Sequence, residues 1–247
     1  KAACWALIII LLPYIVTVFV NGPKIVTASK VDEMTIDVKG GTPTSAGEIL
    51  QMAVSQKAFF GKKGGVTFSG GEPTLQAKAL IPLFQRLKEQ NIHICIDTNG
   101  SIWNEEVKEL LQWTDLVLLD IKEFNNVRHR QLTERSNEQT IRTAGWLEKN
   151  GKPFWLRYVL VPGYSSFEED IRALGEHFKN YQMIQRVEIL PYHTLGVHKY
   201  EAMGKEYKLN GIKENTLKQL ETAKTLFGEY FNTCLLYTSP SPRDISG

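Results

Sequence analysis

From residue 42 onward, short apolar runs alternate with longer stretches in which apolar residues recur every three or four positions. The short runs predict buried strands, and the longer stretches predict amphipathic helices. Strands are predicted at residues 66–68, 93–96, 116–119, 154–161 and 186–190. Helices are predicted after Thr44 or Ser45 and at residues 75–90, 104–112, 167–179 and 214–231, with a helical region broken near Ser136-Asn137 that ends near Asn150. Strands separated by helices indicate βαβ units and a parallel sheet.

Polar residues collect where these strands end. The set comprises Glu72, Asp97, Asp120, Lys122 and His193. Because barrel enzymes build their sites at the carboxyl ends of their strands, a full or partial (β/α) barrel fits this pattern better than an open sheet. Five β/α units are legible from residue 42, and a sixth would fall in the N-terminal region.

The first clear strand ends in the glycine-rich segment 64–73, which contains Gly70, Gly71, Glu72 and Pro73. Two glycines let a ligand approach the bare backbone, since no Cβ keeps it away. The acid that follows them can accept hydrogen bonds from a ligand amine. A tight turn is the ordinary alternative for such a segment, and the similar polar ends of later strands favour the site.

The charged positions at the strand ends and within a strand each have more than one explanation. Asp120 and Lys122 face the same side of an extended chain, which suits a zwitterionic or ribose-bearing ligand or an ordinary ion pair. Arg157 lies within an apolar strand and needs a partner, either in a polar barrel mouth or in a surface acid. Asp97 is a ligand candidate beside Thr98, whose simpler role is to cap the next helix.

Composition limits the class of function. The 29 Lys and Arg residues nearly balance the 27 Asp and Glu residues, and a net charge of +2 argues against nucleic-acid binding. Cys4, Cys95 and Cys234 lie far apart and form no CxxC pair, which favours a reducing compartment, the cytoplasm, over a disulfide framework. Cys95 lies mid-strand and is interpreted as a small buried hydrophobe. No pair of histidines has metal-binding spacing.

The N-terminal segment differs from the rest of the chain. Residues 2–20 are almost continuously apolar, broken only by Pro13, Tyr14 and Thr17. Three explanations stay open: a membrane span or signal peptide, a buried hairpin or first barrel strand, and a frame-shifted or chimeric segment that is not native coding sequence. Nothing further along the chain indicates association with a membrane.

Five motifs occur in order at residues 64–73, 93–100, 118–122, 156–163 and 190–196. Together they resemble the radical S-adenosylmethionine enzymes that activate glycyl-radical enzymes, and the members that serve pyruvate formate-lyase are the nearest. The resemblance covers roughly residues 40–231. It implies a partial (β/α)6 barrel of the TIM type, with an atypical N-terminal part. In that family a [4Fe-4S] cluster reductively cleaves S-adenosylmethionine, and the radical formed abstracts hydrogen from a glycine of the partner.

The resemblance assigns roles to the ends of the first two clear strands. Gly70, Gly71 and Glu72 correspond to the site for the methionine amino group of S-adenosylmethionine. Asp97 and Thr98 correspond to residues near the methionine carboxylate, where the resemblance implies a monovalent cation. These assignments agree with polar groups that gather at one end of a barrel.

The remaining site residues follow from the later motifs. Asp120, Ile121 and Lys122 match the family's S-adenosylmethionine-contacting segment. His193 matches a histidine contact of the family, and Arg157 would line the cavity. All of these are carried over by resemblance and not by spacing.

The chain departs from the family where the cluster should bind. The family uses Cys-x-x-x-Cys-x-x-Cys, and iron–sulfur clusters require thiolates. Residues 20–41 contain no cysteine, and Cys4 alone cannot hold a cluster. No metal ligand is therefore assigned, and the chain as written is expected to lack radical activity. The predicted organisation is an atypical segment at 1–41, the barrel at 42–232, and a non-native disordered tail at 233–247.

The leading hypothesis is an activator of a glycyl-radical enzyme of the pyruvate formate-lyase type, with an electron donor such as flavodoxin. One alternative is a non-catalytic protein that binds S-adenosylmethionine. Another is a radical S-adenosylmethionine enzyme that acts on a small molecule. No nucleic-acid partner is expected.

Overall fold

The computed structural model describes residues 16–19, 35–37, 43–61, 64–194 and 209–236, the first two ranges and residue 43 by their backbone alone. The strands in chain order are β1 (Val16–Phe19), β2 (Thr35–Asp37), β3 (Pro43–Ser45), β4 (Gly65–Ser69), β5 (His93–Thr98), β6 (Leu116–Asp120), β7 (Phe154–Leu160), β8 (Ile184–Pro191) and β9 (Thr233–Leu235). The α-helices are α1 (Ala46–Phe60), α2 (Ala77–Glu89), α3 (Glu105–Trp113), α4 (Asn126–Thr133), α5 (Glu138–Lys149), α6 (Glu168–Phe178) and α7 (Leu217–Gly228). A 3₁₀ turn at Pro73–Gln76 precedes α2.

The chain divides into two compact units, Lys1–Asp120 with Glu138–Trp155 and Ile121–Asn137 with Leu156–Gly247. In the first unit the strand order is β1-β4-β5-β6, and the three pairings are parallel. Val66 pairs with Ile94, and Ile96 pairs with Val117. All four of these side chains are buried, as expected for a parallel sheet covered on both faces.

The second unit contains the strand order β7-β8-β9, and β8 pairs with β9 in parallel. Its core includes Leu156 and Tyr158 from β7 and Ile189 from β8. Phe227 of α7 packs edge-to-face on the Tyr158 ring, with the ring centroids 5.2 Å apart. The prediction of an α/β fold with parallel strands is confirmed.

Helix starts follow the sequence signals. Ser45 caps α1: its hydroxyl accepts from the Glu48 amide at 3.2 Å, and the Glu48 carboxylate accepts from the Ser45 amide at 2.8 Å. This reciprocal pair is a capping box, which satisfies two amides that the first helical turn leaves without partners. Asn104 caps α3 in a similar way, through the Val107 amide. The predicted starts of both helices are therefore confirmed to within a residue.

One local feature matches an alternative left open by the sequence, and two differ from the predicted pattern. Val16–Phe19 form a strand parallel to β4, so these four residues match the barrel-strand alternative for the apolar N-terminal segment. Helix α7 spans Leu217–Gly228 and is shorter than predicted at both ends. Thr233–Leu235 form a strand beside β8, whereas the sequence placed them in a disordered tail. Three residues carry too little periodicity to reveal an edge strand, and residues 237–247 lie outside the described part.

Within the described ranges, no helix has both the length and the apolar character that crossing a membrane requires.

The amino end of β5 is tied to the turn before β6, and this link predicts a stability effect. The Asp115 carboxylate accepts from the Ile94 amide at 2.8 Å and from Lys88 Nζ at 2.6 Å. Asp115→Ala removes both acceptors beside a buried amide, so we expect a loss of about 1–3 kcal/mol in the free energy of unfolding, measured by urea denaturation. Glu89→Ala, which breaks an exposed ion pair with Arg86, is the control and should cost less than about 0.5 kcal/mol. Equal losses in the two variants would contradict the role given to Asp115.

Candidate functional site

In the first unit, the chain turns sharply where β4 ends. Gly70 and Gly71 have φ values of 93° and 54°, a region that side chains with a Cβ rarely adopt. Gly71 is exposed, so its backbone is accessible to a ligand. The turn then places Glu72 immediately before the 3₁₀ turn that begins at Pro73.

The Glu72 carboxylate lies at the centre of a buried hydrogen-bond network. Glu72 is only 5% exposed. Its Oε1 accepts from the hydroxyl of Thr74 at 2.6 Å and from the hydroxyl of Thr98 at 2.7 Å. Its Oε2 accepts from the Asn99 amide at 2.9 Å. The side chain therefore joins the end of β4 to the end of β5.

Burial raises the pKa of the Glu72 carboxyl, and the hydrogen bonds from Thr74, Thr98 and Asn99 lower it by less. Both carboxylate oxygens already accept from the protein's own donors. Glu72 therefore stabilises the chain segments at the ends of β4 and β5. Its predicted contact with a ligand amine stays a prediction.

Acids lie at the ends of the next two strands of this unit. Asp97 is half-buried in β5, and its Oδ2 accepts from the Ser69 hydroxyl at 2.8 Å. Asp120 is half-buried at the last position of β6. In the parallel register Asp97 lies opposite Leu118, two residues before Asp120. Carboxylates at the ends of consecutive parallel strands form an electronegative edge that suits a cationic group of a ligand.

In the second unit, Arg157 is buried and paired. Its Nε lies 3.5 Å from Glu188 Oε2, and Arg186 Nε lies 3.7 Å from Glu188 Oε1. Arg157 and Glu188 are each 4% exposed. The prediction that Arg157 needs a partner is confirmed, but the partner is a buried acid of the neighbouring strand and not a surface acid. The Glu188 carboxylate therefore lies near two guanidinium groups, those of Arg157 and Arg186.

Ile121 and Lys122 also lie in the second unit. The Ile121 amide donates to the Arg157 carbonyl at 2.9 Å, and the Ile121 side chain is buried. Lys122 follows it and is partly exposed. The backbone of the predicted ligand-contacting segment is thus fixed against β7.

His193 follows the end of β8 and is partly exposed. The residue before it, Tyr192, donates its amide to Asn215 Oδ1 at 2.8 Å. The residue after it, Thr194, donates its amide to Glu214 Oε1 at 3.4 Å. These contacts hold the backbone on both sides of His193, while residues 195–208 lie outside the described part.

Sequence reasoning missed Glu123, which directly follows the Asp-Ile-Lys motif. The Glu123 side chain is fully buried, and its carboxylate accepts from the Asn125 amide at 2.8 Å and from the Tyr158 hydroxyl at 3.2 Å. Asn137 Nδ2 donates to the backbone carbonyls of Glu123 and Phe124 at 3.0 and 2.6 Å. Burial, with a smaller contribution from the Asp170 charge, raises the pKa of Glu123 to about 7. In the sequence, the apolar neighbours Ile121 and Phe124 could have indicated that Glu123 is buried.

The predicted site residues fall into two groups, each within one unit. The first unit holds Gly70, Gly71, Glu72, Asp97, Thr98 and Asp120, and the second holds Ile121, Lys122, Arg157 and His193. Contacts tie Glu72 to Thr98 within the first group and Ile121 to Arg157 within the second. In the part of the chain that the structure describes, no three side chains of His, Cys, Asp or Glu come together as metal ligands.

The family model for the Radical SAM superfamily matches residues 29–175, which is more than half of the 247 residues. The chain therefore belongs to the Radical SAM superfamily. A domain of the pyruvate-formate lyase-activating enzyme from Bacteroides vulgatus has a similar fold, with a TM-score of 0.59 and 21% identity over 70% of this chain and 99% of that chain.

Curated relatives define the family more narrowly. The chain is 44% identical over 191 residues to the pyruvate formate-lyase-activating enzyme of Streptococcus mutans, covering 75% of this chain and 73% of the relative. It is 38% identical over 199 residues to the pyruvate formate-lyase 1-activating enzyme of Escherichia coli K12, covering 79% of this chain and 81% of the relative. The chain belongs to the family of pyruvate formate-lyase-activating enzymes.

The raised pKa of Glu123 predicts a pH-dependent stability. An unfolded glutamate loses its proton near pH 4.5, whereas folded Glu123 keeps it to about pH 7. The folded protein should therefore lose stability as pH rises between about 4.5 and 7, by up to about 3 kcal/mol relative to Glu123→Gln. Denaturation of both proteins at pH 5 and pH 8 measures this difference.

Glu109→Gln, at an exposed position of α3, is the matched control and should follow the parent protein at both pH values. If Glu123→Gln shows the same pH dependence as the parent protein, burial of this carboxyl does not govern the effect.

Proposed function

We propose that residues 42–232 form an S-adenosylmethionine-binding barrel that serves a glycyl-radical enzyme of the pyruvate formate-lyase type. The observation that carries this proposal is the 38–44% identity to activating enzymes over about three quarters of the chain. The five ordered motifs and the polar ends of the strands support it.

The chemistry of S-adenosylmethionine matches groups in the first unit. The ligand carries an ammonium, a sulfonium and a carboxylate. In the first unit, the exposed backbone of Gly71 and the carboxylates of Asp97 and Asp120 suit its cationic groups. Ile121, Lys122, Arg157 and His193 are proposed as S-adenosylmethionine contacts on the resemblance of their motifs alone.

The residues of this chain do not fit the [4Fe-4S] cluster that the superfamily uses. Three cysteine thiolates are needed to bind it and leave one iron open. The chain has only Cys4, Cys95 and Cys234. Cys95 is buried within β5, and Cys234 lies in β9 of the other unit. We therefore derive no radical step for this chain and propose that it is inactive as written.

Further features of the family enter as part of the proposal. The partner is a glycyl-radical enzyme that presents a glycine-bearing segment, and flavodoxin is the type of electron donor expected. A monovalent cation beside Asp97 is proposed because that carboxylate is half-buried next to the Ser69 hydroxyl. The cytoplasm is the proposed compartment, in agreement with three dispersed cysteines.

A second candidate function is binding of S-adenosylmethionine without radical chemistry. The absence of a cluster-binding cysteine motif from the sequence favours it, while the strand-end residues proposed for the ligand are present. The two candidates differ only in whether the barrel can support catalysis when thiolates are supplied.

A chimaeric protein tests the leading proposal. Residues 1–41 are replaced by the corresponding segment of the Streptococcus mutans relative, and iron and sulfide are added under anaerobic conditions. We expect the chimaera to release 5′-deoxyadenosine from S-adenosylmethionine in the presence of a reductant and to place a glycyl radical on pyruvate formate-lyase. The readouts are chromatography for the nucleoside and electron paramagnetic resonance for the radical.

The control is the same chimaera with its cluster cysteines changed to alanine, which should give neither signal. A chimaera that assembles the cluster yet forms no 5′-deoxyadenosine would rule out residues 42–232 as a competent barrel. Binding of S-adenosylmethionine without turnover would then favour the second candidate.

A further inference from the structure

Two threonines of α5 point their hydroxyl groups at consecutive backbone carbonyls of the loop after β5. Thr140 Oγ1 donates to the Asn99 carbonyl at 2.7 Å, and Thr143 Oγ1 donates to the Gly100 carbonyl at 2.8 Å. The two threonines are three positions apart, so they lie on one face of the helix. The two threonine side chains are themselves buried, with 4% and 1% of their surface exposed.

The loop that they hold has little freedom to adjust. Gly100 has a φ of 63°, and its amide donates to Thr98 Oγ1 at 3.0 Å. A Cβ at position 100 would lie 2.7 Å from a methyl carbon of Leu119 and 3.3 Å from Thr143. The helix is therefore packed directly against the loop backbone, and the loop conformation depends on that contact.

The peptide groups of Asn99 connect α5 to the buried carboxylate described above. The Asn99 amide donates to Glu72 Oε2 at 2.9 Å, and the Asn99 carbonyl accepts from Thr140. Thr98, the preceding residue, donates its hydroxyl to Glu72 Oε1. A displacement of the loop would thus withdraw two of the donors that keep Glu72 in place after the Gly70-Gly71 turn.

We infer that Thr140 and Thr143 are positioning residues for the ligand site of the first unit. They contact no proposed ligand group and act through the loop after β5, which fixes Glu72 and the residues beside it. The inference rests on the proposed function, because that function assigns S-adenosylmethionine to this edge of the sheet. Removal of the Thr140 hydroxyl takes the donor from a part-buried carbonyl, and removal of the Thr143 hydroxyl takes it from a buried one, so the loop should then shift to recover a partner.

Valine variants with serine counterparts test the inference. The variants are Thr140→Val, Thr140→Ser, Thr143→Val and Thr143→Ser. Valine removes the hydroxyl at nearly constant volume, whereas serine keeps it. The matched control is Thr114→Val, since Thr114 is also buried and donates to a backbone carbonyl, that of Leu110, within its own helix region.

Two measurements are made on each full-length protein: equilibrium dialysis with S-adenosylmethionine, and amide hydrogen exchange at Asn99, Gly100 and Ser101. We expect the two Val variants of α5 to bind about tenfold more weakly and to exchange faster at these amides, with Ser restoring both values to within about threefold. Thr114→Val should leave both unchanged, although its global stability falls.

Unchanged exchange at Asn99 and Gly100 in Thr140→Val and Thr143→Val would overturn the inference, whatever the binding result. So would binding that weakens equally in Thr114→Val, because a general loss of stability would then explain it. If the parent protein does not bind S-adenosylmethionine but the loop amides respond as expected, the failure lies in the assigned ligand and not in the positioning of the loop.

Discussion

A carboxylate that is removed from water must be matched by donors, and Glu72 meets this requirement with groups from two strand ends. Its partners are the hydroxyls of Thr74 and Thr98 and the amide of Asn99. Burial makes an unpaired carboxylate costly, and the three hydrogen bonds fix the position of its two oxygens. The glycine turn after β4 is therefore held by hydrogen bonds from β5 and not by its own sequence alone.

In the second unit, a buried charge is matched by an opposite charge. Arg157 lies in the middle of an apolar strand, and Glu188 of the next strand lies beside it. Removing one member of such a buried pair leaves the charge of the other without compensation. Each residue is therefore needed for the other to remain charged in the interior. The result is a buried ion pair that joins β7 to β8.

The sequence predicts the strands and helices well because each buried strand is a short apolar run bounded by turn residues. Cys95, for example, is buried within β5 as its mid-strand position indicated. The partner of Arg157 could not be predicted, since which acid faces it depends on the register of β7 and β8. Glu123 and Thr140 were missed because their roles come from contacts with residues far along the chain.

Membership of the family does not by itself establish the cluster chemistry for this chain. The described core is built from apolar residues of the chain itself, and no cysteine contributes a metal ligand within the described ranges. Fold alone therefore does not establish activity, and the site has to be judged by its donor groups.

The Asn99 backbone links a negative charge to a neutral hydroxyl. Its amide donates to the Glu72 carboxylate, and its carbonyl accepts from Thr140. These two groups belong to successive peptide units on either side of the Asn99 Cα, so the link between them is mechanical. A rotation of the backbone at this one residue would weaken its bond to the buried carboxylate and its bond to the helix together.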